Sequence, residues 1–438
     1  MGPKILIIGA GKSATVLIQY LQQKAVENDW YVVLADGDEA AAKNKWNNAP
    51  NGTALGINIE NEIDRQNLVQ NADIVVSMLP AQLHFLVAKD CLYFEKPLFT
   101  ASYVDDNMRS IANEIETKQL LFLCEMGLDP GIDHMSAMAI IDEIYEKGGK
   151  ITSFKSHCGG LVAPESDNNP WHYKISWNPR NIILAGKAGA IYLEDGLTVT
   201  KNYQEIFDQA PMVHLSGIGH LAYYPNRNSL SYIDTYQLHG VNNFMRTTLR
   251  YPAFCTGWNA IVQLHLTDET VIELTPNTSV KNWFETHIQQ HNLEQVLAKF
   301  NQDSSIKAQL EFIGLYESTT IPAEFNSNAS ILQWLLEGKW KLAATDKDLV
   351  VMLHEIEYSI GDRQFKLDSS MVLKGEDAIN TAMATTVGLP LAMGVCAYLK
   401  GEIQMTGLHI PIEARIYKPI LKSLAEEGIV FQETLTAY

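Results

Sequence analysis

The stretch Ile5-Leu6-Ile7-Ile8-Gly9-Ala10-Gly11-Lys12-Ser13-Ala14 carries residue types that hold phosphate, and its spacing separates two chemistries. A nucleoside-triphosphate loop needs a glycine five positions before Gly11, and Leu6 stands there. What remains is an apolar strand followed by Gly9-x-Gly11-x-x-Ala14, the pattern of a turn that receives a dinucleotide pyrophosphate. Gly9 permits the tight turn, Gly11 lets the backbone approach the phosphates, and Ala14 allows close helix packing. The helix that follows aims its amide-rich end at the phosphates, and no proline interrupts it from Lys12 to Gln23. Lys12 and Ser13 are candidate phosphate contacts, although Lys12 fits a solvated helix start equally well. A second apolar run, WYVVLA at 30–35, ends in Asp36, roughly twenty residues beyond the turn. A carboxylate there accepts both ribose hydroxyls of NAD and repels a 2′-phosphate. In ADIVVSMLP, Pro80 ends a strand whose last residues, Ser77 and Leu79, fall at the crevice where such sheets hold the nicotinamide half.

These elements belong to a chain of 438 residues, too long for one ordinary core, so two or three domains are expected. A net charge of -18 argues against nucleic acid or an anionic membrane as partner. An anionic substrate must then be captured by locally placed arginines. No run approaches the length of a membrane span, and the chain opens on a strand rather than a charged-then-apolar leader, so a cytoplasmic protein is expected. Cys91, Cys124, Cys158, Cys255 and Cys396 are scattered and odd in number, which suggests neither a disulfide framework nor a zinc site.

Strand and helix patterns alternate from Lys4 to about Cys124, the signature of a Rossmann-type doubly wound parallel sheet. The fold class expected is α/β, with a second, α+β domain for substrate and a helical insert. Residues 1–128 form the dinucleotide domain, and a helix near 377–400 returns to it, kinked at Gly388-Leu389-Pro390. The substrate domain covers 129–278, continued by 346–376 and 401–438. Helical patterning at 279–345 makes the insert. A helix is expected from His134 to Lys147, a strand at 151–156, and a Gly/Pro/Asn-rich loop at 159–170.

Five stretches carry a more specific signal: TASY at 100–103, GLDPGIDH at 127–134, SHCGGLVAPE at 156–165, YPNR at 224–227 and TLRY at 248–251. Together they resemble the saccharopine dehydrogenase family, in its glutamate-forming branch, and the resemblance covers nearly the whole chain. It implies oxidation of saccharopine at its secondary amine, hydrolysis of the imine, and release of glutamate and aminoadipate semialdehyde, or the reverse condensation. A homodimer built through the substrate domain is implied as well. By the match, Ser102, Tyr103, Asp129, Cys158, Arg227, Thr248, Leu249 and Arg250 fall in substrate-binding motifs. A substrate with three carboxylates needs cationic clamps, and planar guanidinium forks suit that task, although on residue type alone Arg227 and Arg250 fit salt bridges equally well.

The chemistry needs a general acid/base, for which Asp129, Tyr103, His134 and His157 are candidates; Asp129 also fits a turn, and Asp133 fits a helix cap. Cys158 beside His157 is not read as a nucleophilic pair, because neighbours on a strand face opposite ways. His354, Glu355 and Glu357 lack the spacing of a zinc hydrolase and read as sheet, and no metal site is proposed. On the cofactor the two lines differ. The branch generally uses NADP, whereas Asp36 and Asp38 favour NAD, with Lys43 or Lys45 as the remaining means of holding a 2′-phosphate. Two other functions fit the same framework: a related reductive-amination enzyme, such as one making carboxynorspermidine, and a regulatory protein that binds NAD without turnover.

Overall fold

The computed structural model describes residues 2–437, which divide into two compact units: 2–149 with 379–431, and 150–378 with 432–437. The first unit holds a seven-stranded sheet. Its order is Gly407–His409, Leu121–Leu123, Leu98–Thr100, Ile74–Ser77, Lys4–Ile8, Tyr31–Asp36, Gly52–Gly56, with every pairing parallel. Helices on both faces explain why its central strands read as unbroken apolar runs rather than alternating ones. Strand order reverses between Lys4–Ile8 and Ile74–Ser77, the place where open sheets of this kind receive ligands.

The domain boundaries differ from expectation. The Ile132–Glu146 helix and residues 401–431 belong to the first unit, because Gly407–His409 extends its sheet and the Ala414–Glu426 helix docks on Ile132–Glu146. Tyr417 Oη donates to Asp142 Oδ2 at 2.5 Å across that contact. The returning helix spans Ala382–Leu399, begins at a Thr381 cap, and runs without interruption through Pro390. At 18 residues it is apolar enough to cross a membrane, contrary to the expectation that no run approaches that length. Most of it is buried within the unit, packed against the Thr15–Asn28 helix. Gly388 makes that approach possible, since a Cβ there would stand 2.7 Å from the backbone nitrogen of Leu17.

The second unit is built on a ten-stranded mixed sheet whose centre is Lys150–Val162, parallel to Asn243–Arg250 on one side and antiparallel to Asp348–Ile360 on the other. The expected loop at 159–170 starts later. Gly159 and Gly160 stay in the strand, paired with Val351 and Val350. One sheet face packs on helices through an aromatic core that includes Trp171, Tyr173, Phe254, Trp258 and Trp340. Helices from 279–345 share this core instead of forming a separate body, since Trp283, Phe284, Leu332 and Leu336 belong to the same cluster.

The opposite face combines an apolar cluster, including Leu161, Leu249, Val351 and Leu353, with a polar ladder. His157 Nδ1 lies 2.7 Å from Thr247 Oγ1 and its Nε2 lies 3.0 Å from Glu355 Oε2, while Lys366 Nζ bonds the other oxygen of Glu355 at 2.9 Å. The hydrogen bond from His157, helped by Lys366 and opposed by burial, pulls the Glu355 carboxyl down to about 2.

Gly388→Ala is expected to destabilise the protein by about 1–3 kcal/mol in thermal or urea melts, because the intruding methyl meets backbone that cannot yield. Gly338→Ala, at an exposed helix position with open space around it, is expected to be neutral or mildly stabilising. Equal behaviour of the two variants would contradict this packing account. Glu355 supplies a pH test. Its folded pKa is depressed, so its contribution, roughly 3 kcal/mol, is present above pH 4.5 and fades as pH falls toward 2. Glu355→Gln should lower Tm near neutrality and flatten the acid limb of a Tm-against-pH curve; an unchanged limb would show that the ladder does not set it.

Candidate functional site

In the first unit the glycine turn is formed as its spacing requires. Gly9 has φ +109°, and a Cβ there would stand 2.6 Å from the Met78 carbonyl oxygen, so a residue without a side chain is required. Gly11 has nothing within 4 Å of a would-be Cβ, which leaves its backbone open to a ligand. Lys12–Ala14 make a single 3-10 turn that feeds the Thr15–Asn28 helix; Lys12 is exposed and Ala14 is buried against the sheet. Asp36 closes Tyr31–Asp36, and backbone fixes both its oxygens: Ala10 N–H donates to Oδ2 at 2.5 Å and Asp38 N–H to Oδ1 at 2.8 Å. A cavity of about 400 Å³ opens here, lined by Asp36, Gly37, Asn58, Ile59, Leu79 and Pro80 among others. An open turn, a helix start and a carboxylate at the end of the second strand fit an adenosine and its pyrophosphate.

Ser77 behaves differently from Leu79. Its side chain is wholly buried, and its hydroxyl is bonded to His84 Nδ1 at 2.8 Å, which leaves only its backbone at the strand end for a ligand. Burial pushes His84 down to about 4, so the ring is neutral at ordinary pH. Lys43 pairs with Glu39 at 2.6 Å. Lys45 Nζ donates to Gly11 O at 2.5 Å and to Thr15 Oγ1 at 2.7 Å, and burial lowers its pKa to about 8.

The same unit brings Tyr103 and Asp129 together, with Tyr103 Oη donating to Asp129 Oδ1 at 3.2 Å. Both are half-buried, and Ser102 precedes Tyr103 in the segment that follows Leu98–Thr100. The Asp129–Pro130 peptide bond is cis. Asp133 caps, but from inside the helix. The Ile132–Glu146 helix starts ahead of it, and its Oδ1 accepts the Gly131 N–H at 2.6 Å. His134 is wholly buried with Nε2 on Glu125 Oε2 at 2.8 Å. Of the four acid/base candidates, the two histidines are therefore enclosed, and Tyr103 with Asp129 makes the one partly solvent-reaching pair.

In the second unit the strand register sorts the remaining candidates. Cys158, Thr248 and Tyr224 stand in a row across three strands, and Arg250 follows Thr248 on the same face. Leu249 points its side chain the other way into the apolar cluster, and its carbonyl oxygen accepts from Arg250 Nη1 at 2.8 Å. His157 is likewise on the far face from Cys158, which removes a cysteine-histidine pair. Burial pushes the Cys255 and Cys396 thiols up to about 12.

Arg250 is only 4 % exposed. Its guanidinium lies 5.2 Å from the Tyr173 ring centroid and 5.3 Å from that of Phe254, and its other hydrogen bond goes to Gly160 O at 3.4 Å. No carboxylate pairs with it among the described residues, and its Nε has no partner. A buried guanidinium held by rings and carbonyls retains an unmet demand for an anion. Arg227 differs: it is exposed, sits at φ +52°, and lies five residues along from Ala222, the partner of Arg250. Tyr173 and Phe254 around Arg250, and Glu125 beneath Tyr103, were not singled out from sequence, because each comes from a distant segment and no spacing links it to its partner.

Two family models together match nearly the whole chain. The family model described as the saccharopine dehydrogenase C-terminal domain matches residues 127–429, and the saccharopine dehydrogenase NADP binding domain matches 5–123. The mitochondrial alpha-aminoadipic semialdehyde synthase of Mus musculus is 31% identical over 99% of the chain and 48% of its own length. The chain thus spans about half the length of that relative. It spans 99% of the saccharopine dehydrogenase [NADP(+), L-glutamate-forming] of Schizosaccharomyces pombe, at 29% identity over 99% of the chain. Among solved structures, the apo saccharopine dehydrogenase (L-Glu forming) of Saccharomyces cerevisiae superposes with a TM-score of 0.90 at 27% identity, covering 99% of this chain and 100% of that one.

Proposed function

We propose that this chain, which belongs to the saccharopine dehydrogenase family, oxidises saccharopine at its secondary amine with a nicotinamide dinucleotide. The products are L-glutamate and aminoadipate semialdehyde, and the reverse condensation uses the same groups. The observation that carries the reading is Arg250, a buried guanidinium with no carboxylate partner among the described residues. A substrate carboxylate would supply the missing anion, and the planar fork would fix its orientation.

Oxidation removes a hydride from the carbon beside the amine and a proton from the nitrogen; water then adds to the resulting C=N, and the C–N bond breaks as the amine takes up a proton. The dinucleotide, when bound, supplies the hydride acceptor. Tyr103 holds Asp129 Oδ1, and this partly solvent-reaching carboxylate is suited to take the nitrogen's proton and return it to the leaving amine. Arg227, exposed just beyond the Gly219–Pro225 strand that pairs with Arg250, suits a second carboxylate of the same extended substrate.

For the cofactor we infer a preference for NAD. Backbone amides fix the Asp36 carboxylate at the pocket edge, where it accepts ribose hydroxyls and repels a 2′-phosphate. The lysine beside this turn, Lys45, is engaged by Gly11 O and Thr15 Oγ1 rather than aimed at the pocket that Asp36 lines. The Schizosaccharomyces pombe relative is named as an NADP(+) enzyme and the matching N-terminal family model as an NADP binding domain, so this reading departs from both on the cofactor.

Arg250→Met is the first test. It should cut kcat/KM for saccharopine by a hundredfold or more while leaving Tm unchanged or raised, because an unpaired buried charge is replaced by an apolar side chain of similar volume. Turnover within threefold of the parent would remove Arg250 from the site. For the cofactor, the parent should show the higher kcat/KM with NAD, and Asp36→Ser should move the NADP/NAD ratio upward at least tenfold. A parent that prefers NADP would overturn the role given to Asp36.

A further inference from the structure

Glu125 is the most heavily constrained charged residue near the proposed amine site, and neither the chemistry above nor the sequence motifs use it. It is 3 % exposed, two residues beyond the end of the Leu121–Leu123 strand, and its backbone is left-handed at φ +57°. A side chain other than glycine seldom holds that conformation unless its surroundings impose it. Here they do. Glu125 Oε1 accepts the Val104 N–H at 3.0 Å, and its own N–H donates to Ser102 O at 3.0 Å. Those bonds grip the residues on either side of Tyr103. The next residue repeats the grip, with Met126 N–H donating to Thr100 O at 3.1 Å.

The other carboxylate oxygen reaches in a different direction. Glu125 Oε2 bonds His134 Nε2 at 2.8 Å, and His134 sits in the first turns of the Ile132–Glu146 helix, just past the loop that carries Asp129. Asp133 fastens the start of that loop's exit by accepting the Gly131 N–H. One buried carboxylate thus links the segment bearing Tyr103 to the segment bearing Asp129, whose 3.2 Å hydrogen bond spans them. An apolar residue would fill the same space at less desolvation cost, so the use of a carboxylate calls for a function that needs two acceptors at fixed directions.

We propose that Glu125 is a positioning residue that sets the Tyr103–Asp129 geometry by clamping both segments through its two oxygens. The proposal rests on the role given above to that pair. It does not require Glu125 to touch substrate.

The test combines kinetics with a measurement that needs no substrate. Glu125→Gln keeps an acceptor for Val104 N–H and removes the carboxylate from His134. It is expected to lower kcat for saccharopine at least tenfold, with dinucleotide affinity within twofold of the parent. In a Tyr103→Phe background the same change should cost less than twofold, because the geometry it protects is already gone. Equal losses in both backgrounds, or a kcat within twofold of the parent, would overturn the proposal. His134→Gln, which releases the same oxygen from the other end, serves if Glu125→Gln does not fold, and the same outcomes apply to it. Hydrogen–deuterium exchange gives the independent arm: peptides covering 102–104 should exchange faster in either variant while those covering 150–162 do not change. If the parent shows no turnover of saccharopine, the functional reading falls, and exchange alone decides the clamp; unchanged exchange at 102–104 would refute it.

Discussion

Strand alternation governs the second unit. Because Ser153–Cys158 pairs with a strand on each edge, the side-chain directions in that stretch and opposite it are fixed by parity. Cys158, Thr248 and Arg250 share one face with the aromatic core, while His157, Thr247 and Leu249 share the other with the Glu355 ladder. A shift of one residue in this register would exchange the two sets, sending a guanidinium into the apolar cluster beside the ladder and His157 onto the aromatic face. The ladder and the cluster therefore hold the register on which the candidate anion site depends.

In the first unit the corresponding constraint is the supply of backbone amides. Asp36 is held by two of them, Glu125 by one together with a histidine, and Asp133 by another. None of these carboxylates is paired with lysine or arginine in those contacts. Directed backbone donors place a charge more sharply than a long, flexible ammonium does, which suits groups whose function is to meet a ligand at a set angle. The acidic balance of the chain is compatible with this arrangement, since anions at particular points are stabilised locally.

Much of this was legible in the sequence, and the limits have physical causes. The parallel sheet, the glycine turn and Asp36 were readable because buried strands and tight turns leave contiguous patterns. Parity alone separated His157 from Cys158. Domain limits were misplaced because 401–431 joins the first sheet through Gly407–His409, a three-residue strand too short to carry a pattern. The Gly-rich segment at 159–162 looked like a loop, although Asp348–Ile360 pairs with it and keeps it in the strand. Leu249 was grouped with its motif neighbours, and only the register shows that its side chain turns away. Glu125 and the ring pair around Arg250 had no local signal, since long-range contacts determine what they touch.

The path of the chain has a consequence for synthesis. Residues 150–378 form one uninterrupted piece of the second unit, whereas the first unit lacks the Gly407–His409 strand and two of its helices until residues 379–431 have been made. On the ribosome, the earlier-started unit therefore waits with the edge of its sheet open while the later one gathers nearly all its parts. The Gln432–Ala437 strand then arrives after both and pairs with Arg363–Lys374. Emergence order and assembly order are uncoupled in this protein, and the sheet begun first is completed late.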